Sequence, residues 1–352
     1  MERGDAAHIW VKGVRLASAS PLSICQDGEG IGDGAAGNVT DRESVHIPVL
    51  REAVVEWLRP HDGGRYLDAT LGGGGHTGAI LDASAPGGQV LAIDADPAAR
   101  ERVALRLHDA IAAGRLTIAA GNFRRMAEFA AEHGFRPIDG IVMDLGLSSD
   151  QLADRERGFS FGTEAPLDMR FDPSQEESAA DLLATRSESE IADLIWRDGE
   201  ERRSRAIARR IVAAREQHPI RTTAELAQLV AKAVPGRPGG IHPATRTFQA
   251  LRIAVNDELG ALTETLPQAL DLLAPGGRLA VISFHSLEDR IVKQWMRAEE
   301  RGCVCPPDAP ACVCGRTPSL RVLTRHPQVA DEAEVAANVR AHSAKLRVAE
   351  RL

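Results

Sequence analysis

Short apolar runs that end in an acidic residue recur along the first half of the chain. Three such runs are Tyr66–Asp68, Gln89–Asp94 and Ile138–Asp144, and a further apolar run, Leu116–Ala119, lies between the last two. Helix-compatible segments separate the runs, so the pattern from His46 onward predicts strands that alternate with helices. This alternation is typical of a doubly wound α/β sheet with parallel strands.

The alternation stops after Gln151 and resumes near Ala250. Between these positions the pattern shows only helical signals, including capping boxes at Ser187–Glu190 and Thr222–Glu225, and Pro235-Gly236 ends the second of these helices. The sequence therefore predicts an inserted, all-helical domain over residues 152–250.

The predicted core consists of two segments, residues 46–151 and 251–352. In the second segment, Pro275-Gly276-Gly277 turns a long helical region into the apolar strand Arg278–Ser283. Residues 1–45 are rich in Gly, Ala, Ser and Asp and show no sustained periodicity, which predicts a tail without fixed structure.

Composition narrows the class of protein. With 352 residues and 43% hydrophobic content, the chain is long enough for a large core and two domains. No run approaches the roughly 18 apolar residues of a membrane-spanning helix, so we expect no membrane partner. A net charge of −8 gives no general affinity for nucleic acid, and RNA contact would need a local basic patch. Five cysteines, four of them within residues 303–314, do not resemble a secreted disulfide framework, so we expect a cytoplasmic protein.

The turn after the first acidic run indicates a ligand site. Four consecutive glycines, Gly72–Gly75, stand at a predicted strand-to-helix junction, where glycine permits positive φ and lets a ligand lie against the backbone. Twenty residues after Gly74, Asp94 ends the next strand, where an acid suits the two hydroxyls of a ribose. We therefore predict a nucleoside-binding crevice. The glycine spacing also fits G-x-G-x-x-G, so the turn alone leaves a dinucleotide site open.

Further polar groups favour S-adenosyl-L-methionine over a dinucleotide. Asp68, Asp94 and Asp144 all end predicted strands, and three acids suit a zwitterionic sulfonium better than a polyanionic pyrophosphate. Asn122 and Phe123 follow the third strand and would supply a polar group and an apolar ring beside an adenine.

Several motifs together resemble one family. The chain is similar to the ribosomal RNA small subunit methyltransferase H family in blocks that run in order: His46–Leu50, Leu71–His76, Asp144–Ser149 with Gln151, Arg157–Phe161, Leu167–Arg170, His242–Ile253 and Ser283–Arg290. The resemblance implies a class I methyltransferase core, S-adenosyl-L-methionine as cofactor and a helical insert for RNA. It also implies methylation of N4 of a cytidine in the 16S rRNA of the small ribosomal subunit. The cofactor contacts that it implies are Gly74, Gly75, His76, Asp94, Phe123, Asp144 and Gln151.

The chemistry of an exocyclic cytosine amine suggests two catalytic candidates. Its lone pair is delocalised into the ring, so the enzyme must orient the amine and accept an N–H hydrogen bond. Asp144 can do so at the end of the fourth strand, or it can serve only the cofactor. His285, after the strand Arg278–Ser283, is the second candidate if it faces the same crevice. The chain lacks the acid-or-amide, double-proline and aromatic motif that many amino-methyltransferases use at Asp144.

Basic and aromatic residues suggest how RNA would be held. Residues 197–221 contain eight arginines against four acids, which indicates either solvated ion pairs or phosphate contacts. Arg246 and Arg252 would add contacts near the junction of insert and core, and the candidates for base stacking are Phe159, Phe161 and Phe248. Near the C-terminus the family pattern loses a proline and exchanges an arginine for a histidine (Asn338–Arg347), which weakens any RNA role for that segment.

Several alternatives stay open at this point. Cys303-x-Cys305 and Cys312-x-Cys314 offer four thiolates, but C-x-C is unlike the usual zinc knuckle, so a reduced loop without metal is favoured over a zinc site. A nicotinamide-dependent oxidoreductase and a non-catalytic small-subunit assembly factor are the competing functions. The sequence does not fix the oligomeric state, and a homodimer is compatible with it.

Overall fold

The structure, a computed structural model, describes residues 48–234, 242–305, 311 and 313–352. The predicted tail, the first two residues of the block His46–Leu50, the helix stop at Pro235-Gly236 and Cys312 lie outside the described residues. The described helices are α1 (Arg51–Leu58), α2 (Gly75–Ala83), α3 (Pro97–Arg106), α4 (His108–Ala112), α5 (Met126–Glu132), α6 (Ser149–Ala153), α7 (Ala179–Thr185), α8 (Glu188–Gly199), α9 (Ser204–Arg215), α10 (Thr223–Ala233), α11 (Thr245–Asn256), α12 (Glu258–Leu272), α13 (Ser286–Arg301) and α14 (Glu332–Ala337). The strands are β1 (Arg65–Asp68), β2 (Gln89–Asp94), β3 (Leu116–Ala120), β4 (Ile138–Asp144), β5 (Leu273–Ser283), β6 (Leu320–Val322) and β7 (Lys345–Arg351).

The seven described strands form one sheet in the order β3-β2-β1-β4-β5-β7-β6. Strands β1 to β5 pair in parallel, whereas β7 is antiparallel to both β5 and β6. From β1 the chain builds outward to β3, and from β4 it builds toward the other edge, so the strand order reverses between β1 and β4. A ligand crevice is expected at the carboxyl ends of the strands at such a reversal. The predicted doubly wound α/β class is confirmed, because the parallel strands β1 to β5 alternate with helices and form one sheet.

The Pro-Gly-Gly turn lies inside β5 rather than before it. Leu273 pairs with Ile138 and Arg278 pairs with Gly140, so the four residues between Leu273 and Arg278 oppose one residue of β4. Gly276 adopts a φ of +81°, which glycine accommodates without steric cost. The strand therefore begins five residues earlier than predicted and contains an irregularity where the turn was expected.

Both faces of the sheet are buried by helices. On one face Leu67, Leu91 and Ile141 pack with residues of α5, α12 and α13. On the other face Tyr66 and Val90 pack with residues of α1, α2 and α3. This alternation of neighbouring residues between two cores explains the continuous apolar runs of the sequence.

The described part of residues 152–250 is helical and has a hydrophobic core of its own. Leu183, Ile195, Ile207, Ile211 and Phe248 belong to this core, to which α7, α8, α9, α10 and α11 all contribute. Both predicted capping boxes are present, at the starts of α8 and α10. Between Gln151 and Ala250 the described residues contain no strand, only an isolated bridge. No helix in the described ranges is long and apolar enough to cross a membrane.

Candidate active site at the carboxyl ends of the strands

A cavity opens where the central strands end. Its lining includes the turn after β1, the end of β2, the short 3-10 turn after β3 and the loop after β4. Six of the seven residues that were predicted to contact the cofactor line this cavity: Gly75, His76, Asp94, Phe123, Asp144 and Gln151. The seventh, Gly74, is the residue that immediately precedes α2. The structure thus brings together predicted residues that are up to 76 positions apart in the sequence, from Gly75 to Gln151.

Close packing explains the glycines of the turn. Gly74 has a φ of +71°, and a Cβ atom there would lie 2.8 Å from Val103 Cγ1. A Cβ on Gly75 would lie 2.7 Å from Pro48 Cγ. Side chains at these positions would push α3 or the segment before α1 away, so the turn keeps its backbone exposed toward the cavity.

Asp94 connects the glycine turn to the start of α3. Its Oδ2 accepts a hydrogen bond of 2.7 Å from the backbone N–H of Gly72, and its Oδ1 accepts one of 2.8 Å from that of Asp96. Burial raises the pKa of Asp94 to about 6, and the two backbone hydrogen bonds partly offset that rise. Each oxygen retains a lone pair, so the carboxylate can still accept a hydrogen bond from a ligand hydroxyl.

Asp68 does not line the cavity, although the sequence suggested that it faces the ligand. The side chain is buried, and Oδ2 accepts a hydrogen bond of 2.7 Å from Thr77 Oγ1 while Oδ1 accepts one from the backbone of Thr70. Burial raises the pKa of Asp68. We conclude that Asp68 fixes the glycine turn against α2 from behind.

His76 and Asp144 form an incompletely bonded pair at the bottom of the cavity. His76 Nε2 lies 3.7 Å from Asp144 Oδ2, which is too far for a hydrogen bond. Both ring nitrogens of His76 and Oδ1 of Asp144 are buried without a hydrogen-bond partner among the described residues. The Asp144 backbone N–H is held by Thr70 Oγ1 at 2.7 Å, which fixes the end of β4 next to the glycine turn. Buried polar atoms without partners commonly mark the place of a ligand.

Gln151 lines the cavity and also forms hydrogen bonds with other residues of the protein. Its Oε1 accepts a hydrogen bond from the Ser148 backbone in the capping box of α6, and its Nε2 donates to Asp96 Oδ2 at 3.2 Å. Arg157 Nη1 lies 3.4 Å from the same Asp96 oxygen, and its Nη2 donates to the Phe171 carbonyl. These bonds connect the start of α3 to the segment that leads into the helical insert.

His285 takes a different position from the one expected. It precedes α13, and its Nδ1 accepts a hydrogen bond of 3.4 Å from the Glu288 backbone, while its Nε2 lies 3.2 Å from Glu288 Oε1. Glu288, and not His285, lines the cavity. The histidine turns back because it closes the first turn of its own helix. A catalytic role for His285 therefore stays a prediction that this geometry does not favour.

Arg340 is a cavity residue that the sequence pattern did not reveal. It lies in the 3-10 turn before β7, and its guanidinium donates to the Leu147 carbonyl and, at 3.3 Å, to Ser149 Oγ. The same group lies over the Phe284 ring, 5.3 Å from its centroid. Burial lowers the pKa of Arg340 despite the nearby carboxylate of Asp144. The only available signal was that the segment Asn338–Arg347 keeps this arginine while departing from the family pattern.

Comparison with known proteins identifies the family. A family model described as the MraW methylase family matches residues 43–352. The chain belongs to this family. A protein of Thermomicrobium roseum named ribosomal RNA small subunit methyltransferase H is 57% identical over 311 residues, which cover 88% of this chain and 94% of the relative. A protein of Dehalococcoides mccartyi with the same name is 53% identical over 310 residues, 88% of this chain and 87% of the relative.

Among solved structures, an rRNA methylase from Streptococcus thermophilus aligns with a TM-score of 0.41 and 11% identity, over 87% of this chain and 98% of the other. The chain is thus a methyltransferase by its family, and its cofactor is S-adenosyl-L-methionine.

The residues of the cavity fit this cofactor. The unpartnered atoms of His76 and Asp144 offer hydrogen-bonding capacity to a ligand with both donors and acceptors. Asp94 has lone pairs for ribose hydroxyls, and the half-buried Phe123 offers an apolar surface for the adenine. The glycine turn leaves room for direct backbone contact.

The structure separates the two arginines that were predicted to contact RNA near the junction of insert and core. Arg252 is largely buried and forms an ion pair of 2.8 Å with Glu258, so it supports the site from within instead of contacting phosphate. Arg246 is exposed and donates to the Glu200 carbonyl at 3.2 Å, so its contact with phosphate stays a prediction.

The predicted stacking residues are also mostly internal. Phe159 and Phe248 are buried in the core of the helical insert. Phe161 stacks on His242 with 4.6 Å between ring centroids and is only partly exposed. Trp196, which sequence reasoning did not single out, is 57% exposed on α8. An exposed indole offers an aromatic face on which an unpaired base can stack.

Proposed function

We propose that this protein transfers a methyl group from S-adenosyl-L-methionine to N4 of a cytidine in the 16S rRNA of the small ribosomal subunit. Both relatives described above carry the name ribosomal RNA small subunit methyltransferase H, and the chain spans most of their length. Because that substrate is made and assembled in the cytoplasm, we propose that the protein acts there.

The observation that carries the choice of an amine is that Oδ1 of Asp144, at the cavity, has no hydrogen-bond partner within the described part of the chain. When bound, the cofactor supplies an electrophilic methyl group on a cationic sulfur. Asp144 Oδ1 accepts a hydrogen bond from the N4 amine, which localises the nitrogen lone pair, and it can take the proton that leaves after transfer. His76 lies beside Oδ2 and compensates the carboxylate charge without occupying Oδ1.

A cytosine can reach this position only if it leaves its stack. Arg340 holds the loop Leu147–Ser149 on one side of the cavity, and Phe284 lies beneath the guanidinium. Arg340 and this loop form a polar wall of the cavity near Asp144, and the Phe284 ring packs on the guanidinium. We propose that the extruded base lies against this wall.

We further propose that residues 152–250 recognise the RNA, while residues 48–151 and 251–352 bind the cofactor. Arg202, Arg203, Arg205, Arg209 and Arg210 are all exposed on or before α9. In the same part of the chain, Ile207 and Ile211 face the opposite side and are buried. The helix thus presents its charge to solvent on one face, which suits contacts with phosphates.

The two competing functions are a nicotinamide-dependent oxidoreductase and a non-catalytic assembly factor. A nicotinamide-dependent oxidoreductase is not supported, because the chain belongs to a methylase family. A non-catalytic assembly factor would use the same RNA surface but would need no acceptor at Asp144.

The decisive experiment is nucleoside mass spectrometry of 16S rRNA from cells that lack the gene. Complementation with the wild-type chain should restore N4-methylcytidine, and complementation with Asp144→Asn at equal protein level should not. Unchanged N4-methylcytidine in the deletion strain would reject the proposed product. Equal restoration by both chains would reject the role of Asp144 while keeping the product.

A further inference from the structure

Three cysteine side chains converge between α13 and β6, and none of them lines the cofactor cavity. Cys303, Cys305 and Cys314 are half-buried, and their sulfur atoms all lie within 4.8 Å of one another. The C-x-C spacing had favoured a loop without metal over a zinc site. That spacing does not say how close Cys314 comes to Cys303 and Cys305, and the structure gives this proximity.

The distances between the sulfurs fit tetrahedral coordination. Cys314 Sγ lies 3.8 Å from Cys303 Sγ. Two thiolates that share a tetrahedral Zn²⁺ with Zn–S bonds of about 2.3 Å are themselves separated by about 3.8 Å. A disulfide between these two sulfurs would require a separation of about 2.05 Å. The observed distance therefore matches a shared ion and not a covalent bond between Cys303 and Cys314.

The backbone around the cluster also suits thiolates. The Val313 N–H donates a hydrogen bond of 3.4 Å to Cys305 Sγ, and such bonds stabilise the negative charge of a metal-bound sulfur. Gly315 follows Cys314 with a φ of +65°, which lets the chain turn immediately after the ligand.

The two ends of the loop are held together independently of the cysteines. Ser319 Oγ donates a hydrogen bond of 2.5 Å to Glu299 Oε2, and the Ser319 backbone N–H donates to the Glu299 carbonyl. A Cβ on Gly302 would lie 2.5 Å from the Thr317 carbonyl carbon, so the segment around Thr317 packs directly on the end of α13. The thiols are thus presented from a fixed base, which reduces the entropic cost of bringing them to one ion.

We propose that Cys303, Cys305 and Cys314 bind a structural Zn²⁺ ion. Thiolates select zinc over magnesium or calcium, which prefer oxygen ligands. A fourth ligand completes the tetrahedron, and the site is argued from the three described thiolates alone, since Cys312 lies outside the described residues. The ion would cross-link the loop between α13 and β6, and its binding would release the thiol protons.

The test uses the full-length chain purified without chelator under reducing conditions. Zinc is quantified by inductively coupled plasma mass spectrometry in the wild type, in Cys303→Ser and Cys314→Ser, and in Cys25→Ser as a thiol-matched control. We expect about one zinc per wild-type and Cys25→Ser chain, and at least a tenfold lower content in the two cluster variants.

Exchange of zinc for Co²⁺ in the wild type provides a measurement that does not depend on the folding of variants. Thiolate-to-cobalt charge transfer and intense visible bands of a tetrahedral site should appear, and zinc addition should abolish them. A wild-type chain that contains no zinc and gives no tetrahedral cobalt spectrum would overturn the proposal. So would a zinc content that is equal in the wild type and in both cluster variants.

Discussion

His76 Nε2 and Asp144 Oδ2 lie 3.7 Å apart. Neither His76 Nδ1 nor Asp144 Oδ1 has a hydrogen-bond partner among the described residues. Burial favours the neutral imidazole, but the carboxylates of Asp144 and Asp68 outweigh this effect, so the pKa of His76 is raised. A protonated His76 stabilises the Asp144 carboxylate by charge while leaving Oδ1 to the substrate. This relationship is the basis of the first prediction.

Asp144→Asn should reduce methyl transfer much more than cofactor binding. The amide keeps the shape and one acceptor oxygen but loses the charge that localises the amine lone pair. We expect a loss of about a hundredfold in the single-turnover rate, with little change in S-adenosyl-L-methionine affinity. Rapid-quench kinetics and titration calorimetry measure the two quantities separately.

His285→Ala is the comparison in the same assay. Because His285 caps α13 and does not line the cavity, its replacement should lower stability more than rate. A strong rate loss in His285→Ala beside a normal rate in Asp144→Asn would move the amine-orienting role to the Ser283–His285 turn. A parallel fall of affinity and rate in Asp144→Asn would leave Asp144 as a cofactor ligand only.

Asp94→Ala should weaken cofactor binding. The change removes acceptors for the ribose hydroxyls and also for the backbone of Gly72 and Asp96. Loss of charge-assisted hydrogen bonds of roughly 2–3 kcal/mol corresponds to a tens- to hundredfold loss of affinity by calorimetry. Asp139→Ala is the matched control, because Asp139 also accepts a backbone hydrogen bond but lies at the amino end of the sheet. Similar affinity in both variants would remove Asp94 from the cofactor site.

The raised pKa of Asp94 predicts a pH-dependent contribution to stability. The folded state binds the Asp94 proton more tightly than the unfolded state, whose pKa is about 3.9. The stabilising contribution is therefore complete below about pH 4 and is lost as the pH rises through about 6. In urea unfolding of the cofactor-free protein, the wild type should lose on the order of 3 kcal/mol relative to Asp94→Asn between pH 4 and pH 7. Any pH-independent effect of the Asn substitution on stability cancels when the two pH values are compared. If the difference in free energy of unfolding between wild type and Asp94→Asn were the same at pH 4 and pH 7, the raised pKa of Asp94 would be contradicted.

Charge reversal at Arg205 and Arg209 should weaken RNA binding. Both side chains are exposed on α9, and Arg209 has only a loose ion pair of 3.9 Å with Glu188. The double change to Glu should reduce affinity for the small-subunit RNA and flatten its salt dependence, without altering cofactor affinity. The reversal of Arg59 and Arg136, which are exposed near the amino ends of the strands, is the charge-matched control. Equal salt slopes in the two double variants would mean that α9 is only a solvated surface.

Trp196→Ala should also reduce RNA affinity. The exposed indole on α8 offers a stacking surface for an unpaired base, and such a contact is worth about 1–3 kcal/mol. The control is Leu105→Ala, a change at an apolar side chain that is 64% exposed on α3 of the core. Because the chain has four tryptophans, quenching by RNA that is present in the wild type and lost in Trp196→Ala would support direct contact. An affinity equal to that of the Leu105→Ala variant would argue against it.

The sequence predicted the parts of the site that depend on strand order. Asp94 and Asp144 end parallel strands, and the carboxyl ends of such strands meet at one edge regardless of their distance in sequence. The glycine turn was recognisable because few residues tolerate its conformation. The α/β class was predictable from the alternation of apolar runs with helical segments, because this alternation extends over many residues.

The sequence could not predict how side chains orient around that edge. Asp68 ends a strand as Asp94 does, yet it turns inward to Thr77, because the direction of a side chain at a strand end depends on the local bend. Phe159 and Phe248 were assigned to RNA stacking, but an aromatic ring in a helical domain gains more by burial in the core. Arg340 reaches the cavity through tertiary folding alone, from a segment nearly 200 positions after Leu147.

The position of β7 has a consequence for the order in which the molecule is made. β7 lies between β5 and β6, and in the described residues β6 pairs with no other strand. During synthesis, the edge of β5 therefore stays open until residues 345–351 have left the ribosome. The sheet of the nascent chain is complete on this side only when β7 has paired with β5. Until that moment an unpaired strand edge is exposed, and a chain that ends before β7 would be prone to aggregate.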